Sequence, residues 1–533
     1  LRHFRLIALA FTYSAILAAA PSITGVYNAA GWIPPNLPNS GVAQGAIFTV
    51  TGAGLGPSIL QQAESYPLPT TQGLGGTTMQ VTVAGVTETC IMVYTVATQV
   101  AAILPSATPV GTGTLMLSYQ GSSTSFAIRV LAAGVGTFTL NEGGTGPGVF
   151  TDSAYNPITM VNAAHPGDTL ILWGSGLGPV TGNETEPPTQ VDLGTGVQVL
   201  VGNQPATVTY GGRGSSPGLD QINFVVPAGI TGCKTSVVVI VKGITGNVTT
   251  LSVAPAGQTT CGDTFNALTA ANLQKAVSSG SLSLAGVTLT HTPDTGDTLL
   301  ADFGTFPLNS LIRSYGGTPA PSVGNCIAYE ILNNTLTFTD PILPTPLSTG
   351  SQLMITGPNG NKTVDVLSPG LYASELASSA PFFIAPGNYT ITNGSGGADV
   401  ATFNWNLTLP ASIVPTNIPA SVDLSQDLTL TWTGGSAYSV VTIVAFNGVP
   451  TTPSLNSYTY IICTAAAGAG TFTIPSAILS LLPPDGYGSL TSKGVNIQMA
   501  GVADSIFTGA NAPGLDEGFF TALISSGSVA KIQ

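Results

Sequence analysis

The sequence predicts a mainly β protein of tandem β-sandwich domains with one short helical segment. Three observations carry this prediction. A segment near residue 28 is written again near residue 162: Asn28-Ala29-Ala30 followed by Phe48-Thr49-Val50-Thr51-Gly52-Ala53-Gly54-Leu55-Gly56-Pro57 is answered by Asn162-Ala163-Ala164 followed by Leu170-Ile171-Leu172-Trp173-Gly174-Ser175-Gly176-Leu177-Gly178-Pro179. Apolar and polar residues alternate over short stretches bounded by Gly and Pro, the period-two pattern of strands. Only 7% of residues are charged while Gly (66) and Pro (39) abound, so exposed strand positions must be filled by Thr and Ser. The apolar fraction of 43% is enough to build cores and argues against disorder. A chain of 533 residues divides into roughly three to five such domains.

Taken in order, Arg2, His3 and Arg5 precede an apolar run from Leu6 to Ala20, the layout of a secretory signal peptide over 1–20. The first repeat, 21–136, reads as strands at 79–83, 100–105 and 115–119. The second, 137–260, mirrors them at 197–201, 221–227 and 237–241, after a glycine-rich connector at 138–156. Residues 261–334 read as a linker region whose 265–277 stretch is helical, with Leu268, Ala271, Leu273 and Val277 as its apolar stripe. Strands return in a β-sandwich-like domain at 335–410. Pro410, Pro415 and Pro419 lead into a C-terminal β domain, 411–533, with Trp432 on an alternating strand as the expected core tryptophan.

The order of Asn-Ala-Ala, an apolar strand running into Gly-x-Gly-Leu-Gly-Pro, a Val-x-Val strand and then 99–105 or 221–227 (Gln-Val/Ile to Pro) resembles the IPT/TIG-like immunoglobulin domains of secreted acidobacterial proteins. The resemblance covers about residues 22–260 and implies tandem immunoglobulin-like sandwiches and export, with no catalytic residue. The first repeat departs from the pattern by an insertion at 31–42, after its Asn-Ala-Ala.

The excess of 24 acidic over 11 basic residues, a net charge of −13, repels phosphate backbones, so nucleic acid is not an expected partner. Beyond the signal segment no stretch is long and apolar enough to span a membrane. In an exported chain the five cysteines are expected to form disulfides. Cys233 and Cys261 flank two alternating runs and are the expected first pair. Cys326 and Cys463 are candidates for a bridge in the later domains, a connectivity that spacing does not determine, and Cys90 is the expected leftover.

Chemical motifs are sparse. Gly214-Ser215-Ser216-Pro217-Gly218 has G-x-S-x-G spacing, but Pro217 and the glycines read as a surface loop, and only His165 and His291 lie outside the signal as bases. The carboxylates Glu142, Glu184, Glu186, Glu330, Glu375 and Glu517 are scattered. Asp294, Asp297 and Asp302 fall close together in a Gly/Thr loop and are the candidate calcium ligands. Among the aromatics, Trp173, Trp405 and Trp432 are expected in the core and Trp32, beside Pro34-Pro35 in the insertion, is the candidate ligand contact. The expectation is a secreted or cell-surface protein acting in adhesion, binding or extracellular structure, without catalysis, on an extracellular protein or polysaccharide. The alternative is a carbohydrate-binding accessory protein, which requires an exposed aromatic platform.

Overall fold

The structure is a computed structural model describing residues 20–189, 191–193, 196–263, 269–292, 296–314, 320–333, 343–452, 455–489 and 492–533. The signal-like segment thus lies outside the described residues.

The first repeat is a sandwich of two five-stranded sheets. One orders Ser22–Asn28, Ile47–Ala53, Gln99–Ile103, Ile91–Val96 and Gln61–Gln62; the other Val42–Ala43, Ser122–Leu131, Gly111–Tyr119, Thr77–Val83 and Val86–Thr89. Strict alternation in Thr77–Val83 buries Thr77, Met79, Val81 and Val83 on one face, against a core that includes Phe48, Val50 and Leu115. Two hairpins set the register. Val83 pairs with Val86 across Ala84-Gly85, and Tyr119 with Ser122 across Gln120-Gly121. All four loop residues have positive φ (48°, 81°, 48° and 82°), as the tight turn that matches strand twist demands.

The second repeat repeats both hairpins. Val201 pairs with Gln204 across Gly202-Asn203, and Val241 with Ile244 across Lys242-Gly243, again with φ positive at each loop residue. Its strand Gln204–Arg213 pairs with both Val197–Val201 and Asp220–Val225, joining the two layers into one ten-stranded sheet. It changes partner between Ala206, paired with Val199, and Thr207, paired with Val225, and a bulge follows between Val208 and Tyr210.

Downstream the expected division is corrected. Residues 261–334 are no linker: Ser281–Thr292 and Gly296–Pro307 form a long hairpin, and Ser281–Thr292 also pairs in parallel with Glu517–Ile532, more than 200 residues on. Asn325–Leu332 pairs with Leu455–Ala466. Most strands between 281 and 532 therefore share one 14-stranded sheet, while Val414–Pro415, Leu428–Thr433 and Thr471–Ile474 form a separate three-stranded sheet; Trp405 of the first and Trp432 of the second fall in the same hydrophobic cluster. Local alternation marks each strand, but such long-range pairing leaves no trace in it. The helix spans Ala270–Ser279, with Thr269 Oγ1 accepting from the Asn272 amide (3.2 Å) and Gly280 closing it at φ 81°. Leu273 and Ala276 are buried, whereas Val277, expected on the stripe, is exposed; Leu268 lies outside the described residues. Among the described residues two further short α-helices occur, Leu308–Ser314 and Ser476–Leu479.

The repeats are not separate beads. Nine of the ten residues of Gly232–Val241 are buried, because its outer face packs on the C-terminal sheet: Val238 and Val248 join the cluster of Tyr329 and Ile331. Asn325 Oδ1 accepts from the Ser236 amide (3.0 Å) and hydroxyl (3.2 Å) at this seam.

Candidate functional site

Between the repeats, the second copy of the glycine motif is a joint. Ser175 Oγ accepts from the Ile47 amide of the first repeat (2.8 Å) and donates to the Gly218 carbonyl (2.7 Å). Asn28, of the first Asn-Ala-Ala, donates to the Ser175 carbonyl (2.8 Å). Arg213 and Asp220 form an ion pair with side chains 2% and 0% exposed. Asp220 Oδ2 accepts from the Gly176 and Leu177 amides (2.6 and 2.7 Å), and Arg213 Nη2 donates to Gly178 O (2.7 Å) and, across the seam, to Gly45 O (3.1 Å). Burial pushes the Asp220 carboxyl upward, and the guanidinium and the amides pull against it.

Among the described residues the catalytic constellations that the sequence allowed are not assembled. Ser215 and Ser216 sit in the loop between paired strands, which leads into strand Asp220–Val225 rather than a helix. His165 is spent on Asp168 (3.3 Å) and the Gln258 carbonyl (2.8 Å). His291 Nδ1 contacts Asp297 Oδ1 (2.6 Å), whose other oxygen accepts from the Ile384 amide (2.6 Å).

The calcium expectation is likewise not supported by the two aspartates that are described. Asp297 is fully buried in these contacts, while Asp302, five residues on in the same regular strand, is exposed on the opposite face. Asp294 lies outside the described residues, among which no three His, Cys, Asp or Glu side chains converge. Glu184 holds the Ser106 amide and hydroxyl (2.9 and 2.6 Å), Glu517 accepts from Asn272, and Glu375 is exposed elsewhere. Cys233 is bonded to Cys261 and Cys326 to Cys463, while Cys90 is a buried free thiol.

Two of the surface concavities among the described residues have the form of a binding site. The larger is a cleft of about 680 Å³ between the first repeat and the C-terminal unit. One wall is the insertion of the first repeat, with Ile33, Pro35, Asn36, Leu37 and Pro38; the other is Val449 with Pro483, Pro484 and Asp485. The insertion is tied across by Asn36 to Pro450 O (3.1 Å) and by the Ser457 hydroxyl to Pro35 O (2.7 Å). Arg129, which lines the cleft, donates to Pro38 O and Ser40 O (3.0 and 3.1 Å), so its charge meets neutral carbonyls. Trp32 is not part of this lining. It is half-buried at φ 52° and packs against Tyr27 at 5.5 Å.

Behind the insertion, Glu330, Thr459 and Asn447 stand side by side across three strands. Burial pushes the Glu330 carboxyl up to about 8; the Asn39 amide faces it, and Glu330 Oε1 closes no hydrogen bond among the described residues. A folded-state value above the ordinary 4.5 means the fold keeps a proton that the unfolded chain releases. The contribution of Glu330 to stability is therefore fully present at acid pH and is lost, by roughly 1 kcal/mol per pH unit, between about pH 5 and 8 before levelling off. Urea midpoints across that window should decline for the wild type and flatten for Glu330→Gln; parallel curves would show that Glu330 is ionised in the fold.

The second feature is an open depression of about 510 Å³ lined by Phe138, Leu140, Glu142, Val149, Trp173 and Leu219. Trp173, expected in the core, is half-buried here. The signal lies in the alternation: Leu170 and Leu172 point inward, so Trp173 points out. Trp405 and Trp432 are core residues, the latter donating to Ala467 O (2.9 Å).

No family model matches the chain, and no curated protein does. Among solved structures, similar chains include a Bacteroides ovatus SGBP-B of a mixed-linkage glucan utilization locus in complex with a heptasaccharide (12% identity, covering 85% of this chain and 97% of that one, TM-score 0.16). Others are invasin, a bacterial integrin-binding protein (10%, 92% and 81%, TM-score 0.14), and the chicken CNTN1 FN1–FN3 domains (9%, 72% and 100%, TM-score 0.15). At TM-scores this low the likenesses carry no argument, and the sandwich fold rests on the strand pairing described above.

Proposed function

We propose that the protein is an exported, non-catalytic binding protein of the cell surface or extracellular space, whose ligand enters the cleft between the first repeat and the C-terminal unit. The carrying observation is that the segment in which the first repeat departs from the IPT/TIG-like pattern, the insertion at 31–42, builds one wall of that cleft. Two disulfides support an oxidising compartment. No helix among the described residues is long and apolar enough to cross a membrane. The ties of Asn36 to Pro450 O and of Ser457 to Pro35 O hold the walls in place before a ligand arrives, which lowers the ordering cost of binding. We keep the reading of the repeats as IPT/TIG-like as part of this proposal.

The test is binding of the purified protein to proteins extracted from isolated cell envelopes and to a panel of extracellular proteins. Ala127, exposed on the cleft lining, is the position to fill. Ala127→Trp is expected to abolish saturable binding while leaving the melting temperature unchanged. Binding that survives a filled cleft places the ligand elsewhere and refutes the reading.

A further inference from the structure

We propose that Trp173 and Tyr155 form a platform for a neutral polysaccharide chain, a second site separate from the cleft. Trp173 presents its ring at the surface, and its Nε1 donates to Thr151 Oγ1 (3.1 Å), which fixes the indole. Tyr155 is 63% exposed, unusual for a tyrosine with no buried role. It is carried at φ 65° on a turn in which Asp152 accepts from the Ala154 and Asn156 amides (2.8 Å each). The two rings are near parallel, at 30° and 6.1 Å between centroids. The left-handed φ of Tyr155 is set by this tight turn, in which its amide donates to Asp152 O (3.0 Å), and the turn holds the ring beside Trp173.

The surroundings select the ligand. A pyranose offers an apolar C–H face to an aromatic ring and a rim of hydroxyls to polar groups. The depression beside Trp173 has an apolar floor and, at its rim, the Glu142 carboxylate, 78% exposed and 3.5 Å from Arg313 Nη2. Arg313 Nε is buried without a partner among the described residues. A carboxylate beside a guanidinium supplies an acceptor and a donor for neighbouring hydroxyls. The depression is open rather than enclosed, which lets a chain pass across it. Glu142 at the rim and Asp152 in the turn that carries Tyr155, in a protein of net charge −13, disfavour an anionic glycan.

The experiment is calorimetric titration of the full protein with neutral hexasaccharides (cellohexaose, xylohexaose) and with hexagalacturonate as the anionic counterpart. Saturable binding of a neutral hexasaccharide is expected, weakened about tenfold by Tyr155→Ala. Tyr155 is exposed, so its removal should leave the melting temperature unchanged; Trp173→Phe, which keeps a ring, should weaken binding less than Trp173→Ala. Ala127→Trp should leave this binding intact, which separates the platform from the cleft. No saturable binding of either neutral chain overturns the proposal, as does binding indifferent to Tyr155→Ala or tighter for hexagalacturonate.

Discussion

Replacing Cys326 and Cys463 together by alanine is expected to destabilise the protein by about 5 kcal/mol, the largest loss among the changes considered. The two cysteines face each other across adjacent strands, both fully buried, and close a loop of 137 residues. In the chain-entropy account the loss grows with loop length, so the Cys233–Cys261 bridge, with a separation of 28, should be worth less, about 3.5 kcal/mol. The location adds to the effect. Asn325–Leu332 lies at the end of the 14-stranded sheet, and it carries Tyr329 against the second repeat and Glu330 behind the insertion. Guanidinium unfolding of the two double variants, each against the oxidised wild type, ranks them. A smaller loss for Cys326→Ala/Cys463→Ala than for the shorter bridge would show that strand pairing alone already orders this edge.

Arg213→Met is expected to cost about 3 to 5 kcal/mol, because it strands the Asp220 carboxylate in a site from which water is excluded. Adding Asp220→Leu removes the unpaired charge and should recover part of that loss. Recovery should stop short of wild type, since the Gly176 and Leu177 amides then lose their acceptor. The ion pair also reaches Gly45, so both variants should loosen the joint between repeats. Faster proteolysis at residues 132–136 than elsewhere would report that loosening. A single variant as stable as wild type would show that Asp220 is protonated in the fold.

Several features are legible in the residues themselves. The duplicated Gly-Leu-Gly-Pro motif marks two related sandwiches, and the Ala84-Gly85 and Lys242-Gly243 dipeptides sit where tight hairpins need positive φ. The flanking of two alternating runs by Cys233 and Cys261 points to the bridge between them. Trp173 is legible too, since the inward Leu170 and Leu172 leave it facing outward; its apolar neighbours suggest the core, and its phase on the strand overrides them. The acidic cluster misleads for the opposite reason: Asp297 and Asp302 are close in sequence, but an odd spacing on one strand puts them on different faces.

The sequence by itself determined the local elements: which stretches are strands, which face of each is apolar, where the hairpins turn, and where charge is too scarce or too negative for certain partners. Only the tertiary structure decided which strands share a sheet, which apolar faces are covered by another unit, and hence which surfaces remain open. Alternation and turn chemistry act over a few residues and are written in order along the chain. The pairing of Ser281–Thr292 with Glu517–Ile532, the burial of both faces of Gly232–Val241 and the cleft walled by residues near 35 and 484 bring together segments hundreds of residues apart. A period-two pattern says that a face must be buried, and it is silent on what will bury it.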